Sequence, residues 1–181
     1  MQDSGRDSNR FQYERFLLTQ LLVMSLKGVP AFYLPALLAS ENDIKSFSMT
    51  GQRRDLNREK FKSEKLAGVF NNPESNANKN LKYLRHAMDV RAKLPQFHPQ
   101  SHMECLSKNR ADIVALKRGI GSKAVFTIHN MTENKINYRF IDYEFNKSIK
   151  NDLDMQDYLT SNKYNSNNIE LDPFQVIWLG F

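Results

Sequence analysis

A change of hydrophobic period at Pro95–Pro99 does most to limit the architecture of this chain. Before it, apolar residues recur at helical spacing, as in Leu81, Leu84, Met88 and Ala87, Val90, Leu94. After it they recur at every second position, as in Phe174, Val176 and Trp178. A stripe at a period of 3.6 residues marks one face of a helix, and strict alternation marks a half-buried strand. The chain therefore reads as an α/β part, residues 1–97, followed by a small antiparallel β domain, residues 98–181.

In the first part, residues 1–9 are polar and expected to be disordered, with Ser8 or Asn9 as a helix cap. Arg10 to Lys27 reads as a helix that is apolar on most sides and so buried on more than one face. Gly28 suits the position past its end, and Pro30 prevents continuation. Ala31-Phe32-Tyr33-Leu34 does not alternate, which is the pattern of a parallel strand covered on both faces. Asn42 to Arg58 is loop by composition, ending in Arg53-Arg54-Asp55-Leu56-Asn57-Arg58. A strand delivering a loop with fixed polar groups is how a barrel enzyme presents them to a ligand. A helical turn is expected around Leu66 to Phe70, and Asn78 to Leu94 is an amphipathic helix closed by Pro95.

In the second part, Met103–Ser107, Asp112–Lys117, Lys123–Asn130, Ile136–Ile141, Ile169–Leu171 and Phe174–Leu179 read as strands. Residues 118–122 and 132–134 read as hairpin turns. The aromatics Phe126, Phe174 and Trp178 are expected to point inward, leaving no stacking platform.

The 181 residues carry a formal net charge of +6, with Lys and Arg scattered and not gathered in a block. That argues for a solvated surface and against a nucleic-acid groove. Cys105 is the single cysteine, which excludes an internal disulfide, favours a cytoplasmic setting and reads as a packed thiol. The run Phe16 to Leu26 falls short of the ~20 residues a membrane span needs, and the amino terminus lacks the pattern of a signal peptide. His98 and His102 are separated by Pro99, which blocks the helix that would align them on a metal. No metal and no cofactor are expected. Asn130-Met131-Thr132 and Asn146-Lys147-Ser148 match the glycosylation sequon by pattern only.

Several short stretches, in order, resemble the C-terminal part of the sucrose phosphorylase group in the α-amylase superfamily of glycoside hydrolases. They are Glu14-Arg15-Phe16-Leu17-Leu18, Gly28-Val29-Pro30-Ala31-Phe32-Tyr33, Asn42-Asp43, Thr50-Gly51 and Arg54 to Lys60. Gln96-Phe97-His98-Pro99, His129-Asn130-Met131-Thr132 and the terminal Leu171 to Leu179 continue the series. The resemblance implies that Ala31–Leu34 is the eighth strand of a (β/α)8 TIM barrel and that the sheet is the β-sandwich domain that follows it. It implies a retaining double displacement on an α-glucosyl disaccharide such as sucrose, with phosphate as acceptor. The three carboxylates of that chemistry would lie upstream, so no residue of this chain is assigned a catalytic role.

Arg54 matches the arginine that, by the resemblance, holds glucose in the donor subsite; a guanidinium fork suits a carboxylate and a sugar hydroxyl together. Asn42 and Asp43 would border the acceptor subsite, with Asp55 and Arg58 bracing the loop. Leu34-Pro35-Ala36 stands where many relatives have His-Ser, which leaves fructose, fructose 6-phosphate and glycerate open as acceptors. The chain alone is expected to be inactive. Alternatives are an inactive remnant, a separately encoded half needing an upstream partner chain, or a non-enzymatic carbohydrate-binding module. Residues 1–94 are further expected to pack poorly in isolation. No nucleic-acid or membrane partner is expected.

Overall fold

The computed structural model describes residues 10–57, 59–107, 109–140 and 153–181. The backbone forms two compact units, Met1–Pro30 with Asp89–Phe181, and Ala31–Met88. Residues 1–9, Arg58, Ile141 and the Asn146 sequon, all of which drew expectations above, lie outside the described residues.

The first unit is built on a six-stranded antiparallel sheet. Its strands are β1 (Met103–Cys105), β2 (Ile113–Arg118), β3 (Val125–Asn130), β5 (Asp154–Asp157), β6 (Lys163–Asn165) and β8 (Val176–Gly180), in the order β1-β2-β3-β8-β5-β6. A two-stranded sheet, β4 (Ile136–Tyr138) with β7 (Ile169–Leu171), accompanies it. Alternation divides the large sheet cleanly. On one face Ile113, Ala115, Phe126, Ile128, Met155, Ile177 and Leu179 join Tyr138, Ile169 and Leu171 of the small sheet in one buried cluster. Burying each large side chain stabilises by about 1.5–3 kcal/mol, so this cluster is the principal core of the unit. The sandwich expected for 98–181 is thus a large sheet faced by a short ribbon.

The other face carries Arg118, Thr127, His129 and Trp178, all fully buried. Helix α1 (Gln12–Ser25) is tied to it. The Trp178 Nε1–H donates to Ser25 Oγ at 3.2 Å, and Leu18, Leu21 and Met24 are buried on the same helix. Phe97 lies beside Trp178 with ring centroids 4.8 Å apart. This sheet face accepts the apolar stripe of α1. The other side of α1 is open, with Tyr13, Val23 and Leu26 exposed, so burial on several faces does not occur.

Other expectations change as well. The cap of α1 falls at Phe11, in the left-handed region at φ 58°, and no side chain caps the helix. β5 and β6 were not foreseen; Asp157 occupies an inward position of β5, and a buried carboxylate hides the alternation. Residues 132–134 join strands of different sheets and form no hairpin. Phe126 and Trp178 point inward on opposite faces, while Phe174 sits in the turn before β8 at φ 56°. Cys105 is exposed, since β1 is an edge strand that, among the described residues, pairs with β2 alone. Asn130 of the first sequon is fully buried, its amide donating to Asn134 O at 2.7 Å and Asp172 O at 2.8 Å; such an amide is closed to glycosylation in the folded chain.

The second unit contains α2 (Leu34–Leu37), α3 (Ile44–Thr50), a 3-10 turn (Arg53–Asn57) and α4 (Ser63–Asn71). Helix α5 (Asn76–Lys93) begins in it and ends in the first unit. Ala31–Leu34 is not a strand. Tyr33 has extended backbone, at φ −88° and ψ 143°, but α2 begins at Leu34 and Tyr33 is 55% exposed. A strand is defined by ladder hydrogen bonds, and no strand among the described residues pairs with this stretch. Every ladder among the described residues is antiparallel, so they include no parallel barrel strands. The buried amide of Asn80 holds α2 by donating to Ala36 O at 3.1 Å and Leu37 O at 2.8 Å.

Candidate functional site

The stretch expected to be loop, Asn42 to Arg58, is instead mostly helical, and the reason is local. Asp43 is the N-cap of α3: its carboxylate accepts from Ser46 N at 2.9 Å and from Ser46 Oγ at 2.6 Å. A side-chain oxygen there satisfies donors that the first helical turn leaves unpaired. Gly51 ends the helix in the left-handed region at φ 66°, its N–H donating to Phe47 O at 2.8 Å. The backbone then turns through Arg53–Asn57 and comes back, so that Asp43 N donates to Leu56 O at 2.6 Å.

Asp55 accepts from Thr50 Oγ1 at 2.6 Å. The two acids therefore sit at opposite ends of one short helix, Asp43 at its start and Asp55 at its finish. Between them they fold the segment onto itself. Arg54 lies 4.0 Å from Asp55, Nε to Oδ1, with its side chain 65% exposed. An ion pair this open contributes little to stability, which leaves the guanidinium available to a ligand. Asn42 is exposed, and its carbonyl accepts from Ile44 N at 2.9 Å. The structure thus gathers Asn42, Asp43, Arg54 and Asp55 on one compact element; Arg58 lies outside the described residues.

The sequence did not single out a second feature, an open polar cleft of about 420 Å³ in the first unit. It is lined by Arg110, Asn137, Arg139, Asn167 and Asn168. Arg110 already binds the Asp112 carboxylate through Nε at 2.9 Å, which holds that carboxyl below its usual range. Among the described residues no group of three or more His, Cys, Asp or Glu side chains is placed to hold a metal ion. Among them, too, no helix is long and apolar enough to cross a membrane.

A glucosylglycerate phosphorylase from Allomeiothermus silvanus is 34% identical over 119 residues, which is 66% of this chain and 21% of that protein. The chain resembles the C-terminal part of a sucrose phosphorylase-like enzyme. A glucosylglycerate phosphorylase from Escherichia coli agrees, at 23% identity over 165 residues, 91% of this chain and 28% of that protein. The chain thus spans between a fifth and a third of the length of these curated relatives. Among solved structures, trehalose-6-phosphate hydrolase from Bacillus licheniformis matches 97% of this chain and 40% of its own, with a TM-score of 0.65 at 14% identity. An α-amylase from Anoxybacillus matches 93% of this chain and 32% of its own, with a TM-score of 0.63 at 17% identity. Those likenesses concern the fold, which is shared with α-amylase-family enzymes. No family model matches the chain.

Proposed function

We propose that this chain serves as the C-terminal portion of a glucosyl-transferring phosphorylase and contributes a sugar-binding arginine to it. The similarity to glucosylglycerate phosphorylases carries the reading. The exposed Arg54 fork, on a segment braced at both ends of α3, supports it. In this proposal residues 1–97 complete a (β/α)8 catalytic barrel and 98–181 form the β domain after it. Ala31–Leu34 gains its ladder only when neighbouring strands are supplied. The reaction is a retaining double displacement in which an Asp nucleophile takes the α-glucosyl group, a Glu acts as acid and then base, and phosphate collects the sugar. Those carboxylates come from polypeptide outside this sequence. Glycerate is the favoured acceptor in the reverse direction, on the names of the relatives, ahead of fructose and fructose 6-phosphate. Asn42 and Asp43 would border that acceptor, with Asp55 and Arg58 supporting the loop. The setting would be cytoplasmic.

The test is to co-produce this chain with the remaining portion of a relative and to measure glucose 1-phosphate from glucosylglycerate and phosphate. The chain alone is expected to form none, and the pair to form it. Arg54→Ala in the pair should lower kcat/KM about 100-fold, the loss of a charge-assisted hydrogen bond of up to ~3 kcal/mol. Glucose 1-phosphate from the isolated chain, or an unaffected Arg54→Ala pair, would overturn the assignment.

A further inference from the structure

We propose that the docking of α1 on the large sheet is an acid-sensitive latch, with His129 as the group that takes the proton. The proposal is independent of the catalytic reading above. Ser25, at the end of α1, is the residue on which the contact converges. Its Oγ receives the Trp178 indole N–H at 3.2 Å and stands 3.1 Å from His129 Nε2. Its carbonyl accepts from Arg118 Nη1 at 2.9 Å. His129 Nδ1 lies 3.0 Å from Val114 O, a group that only accepts. Nδ1 therefore carries the hydrogen, Nε2 is bare, and the Ser25 hydroxyl donates to it.

That order of donors belongs to the neutral ring; on a charged ring Nε2–H would donate to Ser25 Oγ, so the cost of protonation is the buried charge and not a lost hydrogen bond. A proton arriving on Nε2 forces the Ser25 hydroxyl to swing to its other acceptor, Leu21 O, 2.8 Å away. It also places a full charge in an enclosed interface. The charged groups on the surrounding elements offer no relief. β2 supplies Arg118 and the end of α5 supplies Arg91, whose Nε donates to Met24 O at 2.9 Å; both are cations. The turn before β1 contributes the carbonyl of His98, already bound to Arg118. The acid of α1, Glu14, lies in its first turn, at the far end from Ser25. The carboxylate of Asp157 on β5 is committed to Trp178 N, Leu159 N and Thr160 Oγ1. The interface also encloses Arg118 Nε and Thr127 Oγ1, which have no hydrogen-bond partner in the structure. The opposite face of the sheet keeps its own apolar cluster, so α1 can open locally while the sandwich stays closed.

Burial lowers the His129 pKa from 6.5 to about 4. A group depressed in the docked state disfavours docking as pH falls from the exposed value through the docked one, so the window is pH 6.5 down to about 4. Relative to pH 7, the open population at pH 4.5 should rise about 50-fold. Hydrogen exchange, corrected for intrinsic rates, reads this directly in the full chain. The expected result is a loss of protection of about 50-fold in Leu18–Ser25 while β3 and β8 keep theirs, with no such loss in His129→Gln. Protection of α1 that is flat with pH, simultaneous loss across the sheet, or an unchanged acid response in His129→Gln would overturn the latch. Should His129→Gln fail to fold, the unaltered chain decides: a His129 pKa near 6.5 by NMR titration overturns the latch, and one near 4 upholds it only together with acid loss of exchange protection in Leu18–Ser25 that spares β3 and β8.

Discussion

At the residue scale, Asp157 shows how a charged side chain can serve a strand. Oδ1 accepts from Trp178 N at 2.8 Å and Leu159 N at 3.2 Å, and Oδ2 accepts from Thr160 Oγ1 at 2.6 Å. Burial pushes its carboxyl upward against the pull of these bonds, so the charge is held at a cost while the acceptors are needed. Asp157→Ala would remove a buried acceptor shared by two backbone N–H groups, a loss of about 3 kcal/mol. A urea titration followed by Trp178 fluorescence checks it. Asp157→Asn, which keeps one accepting oxygen, should lose less; equal losses would mean that the charge and not the acceptor matters. Arg54 is the contrasting residue. Its side chain is open and weakly paired, so Arg54→Ala should leave the same titration unchanged while lowering the activity of the assembly proposed above.

At the element scale, the end of α1 is capped by side chains from elsewhere. No basic residue lies in its last turn. Arg91 Nε and Nη2 instead donate to Met24 O and Gly28 O at 2.9 Å each, and Arg118 donates to Ser25 O and His98 O. Cations there meet the negative end of the helix dipole and satisfy its last carbonyls. Gly28, at φ 117°, supplies the backbone turn that brings its carbonyl to Arg91. Arg118 serves two carbonyls with two arms of a rigid fork. A lysine offers one point charge on a flexible stem. Arg118→Lys is therefore expected to lose about 2 kcal/mol, and hydrogen exchange should place the loss at α1; full stability in Arg118→Lys would show that charge alone suffices. Phe97, His129 and Trp178, which carried part of the family resemblance, turn out to be pins of this packing, while Asn130 holds the turns that follow β3 and β7. Motifs of that kind identify a fold better than they identify a chemistry.

At the scale of the whole molecule, β8 is the strand on which the first unit depends. It pairs with β3 on one side and β5 on the other, and so joins β1-β2-β3 to β5-β6. Its five residues are all buried. A chain ending at Pro173 would split the sheet and expose both halves of the core. It should show no cooperative transition in urea, whereas a cooperative transition of unchanged midpoint would place the core elsewhere. The second unit depends on other devices: Asn80 on the carbonyls of α2, Asp43 at the start of α3 and Asp55 against its end. The exposure of Tyr33, Leu34 and Ile44 fits a segment that gains further contacts in a larger enzyme, as proposed above.

The sequence by itself determined the elements whose information is local. The period of 3.6 in Asn78 to Leu94 and the period of 2 in most of the strands required only near neighbours, and both elements were legible. Legible too, through the order of short stretches, was the likeness to the C-terminal part of sucrose phosphorylase-like enzymes, together with Arg54 as the residue to examine. The tertiary structure alone decided the rest. Ala31–Leu34 has strand-like composition, but a strand exists only through partners. β5 was hidden because Asp157 is buried by bonds to residues far along the chain. Cys105 followed its edge position and not its hydrophobicity. The clasp of Ser25, His129, Trp178 and Arg118 joins residues up to 153 positions apart. No local pattern encodes such a meeting, since it forms only when a helix and a sheet face close over each other and exclude water.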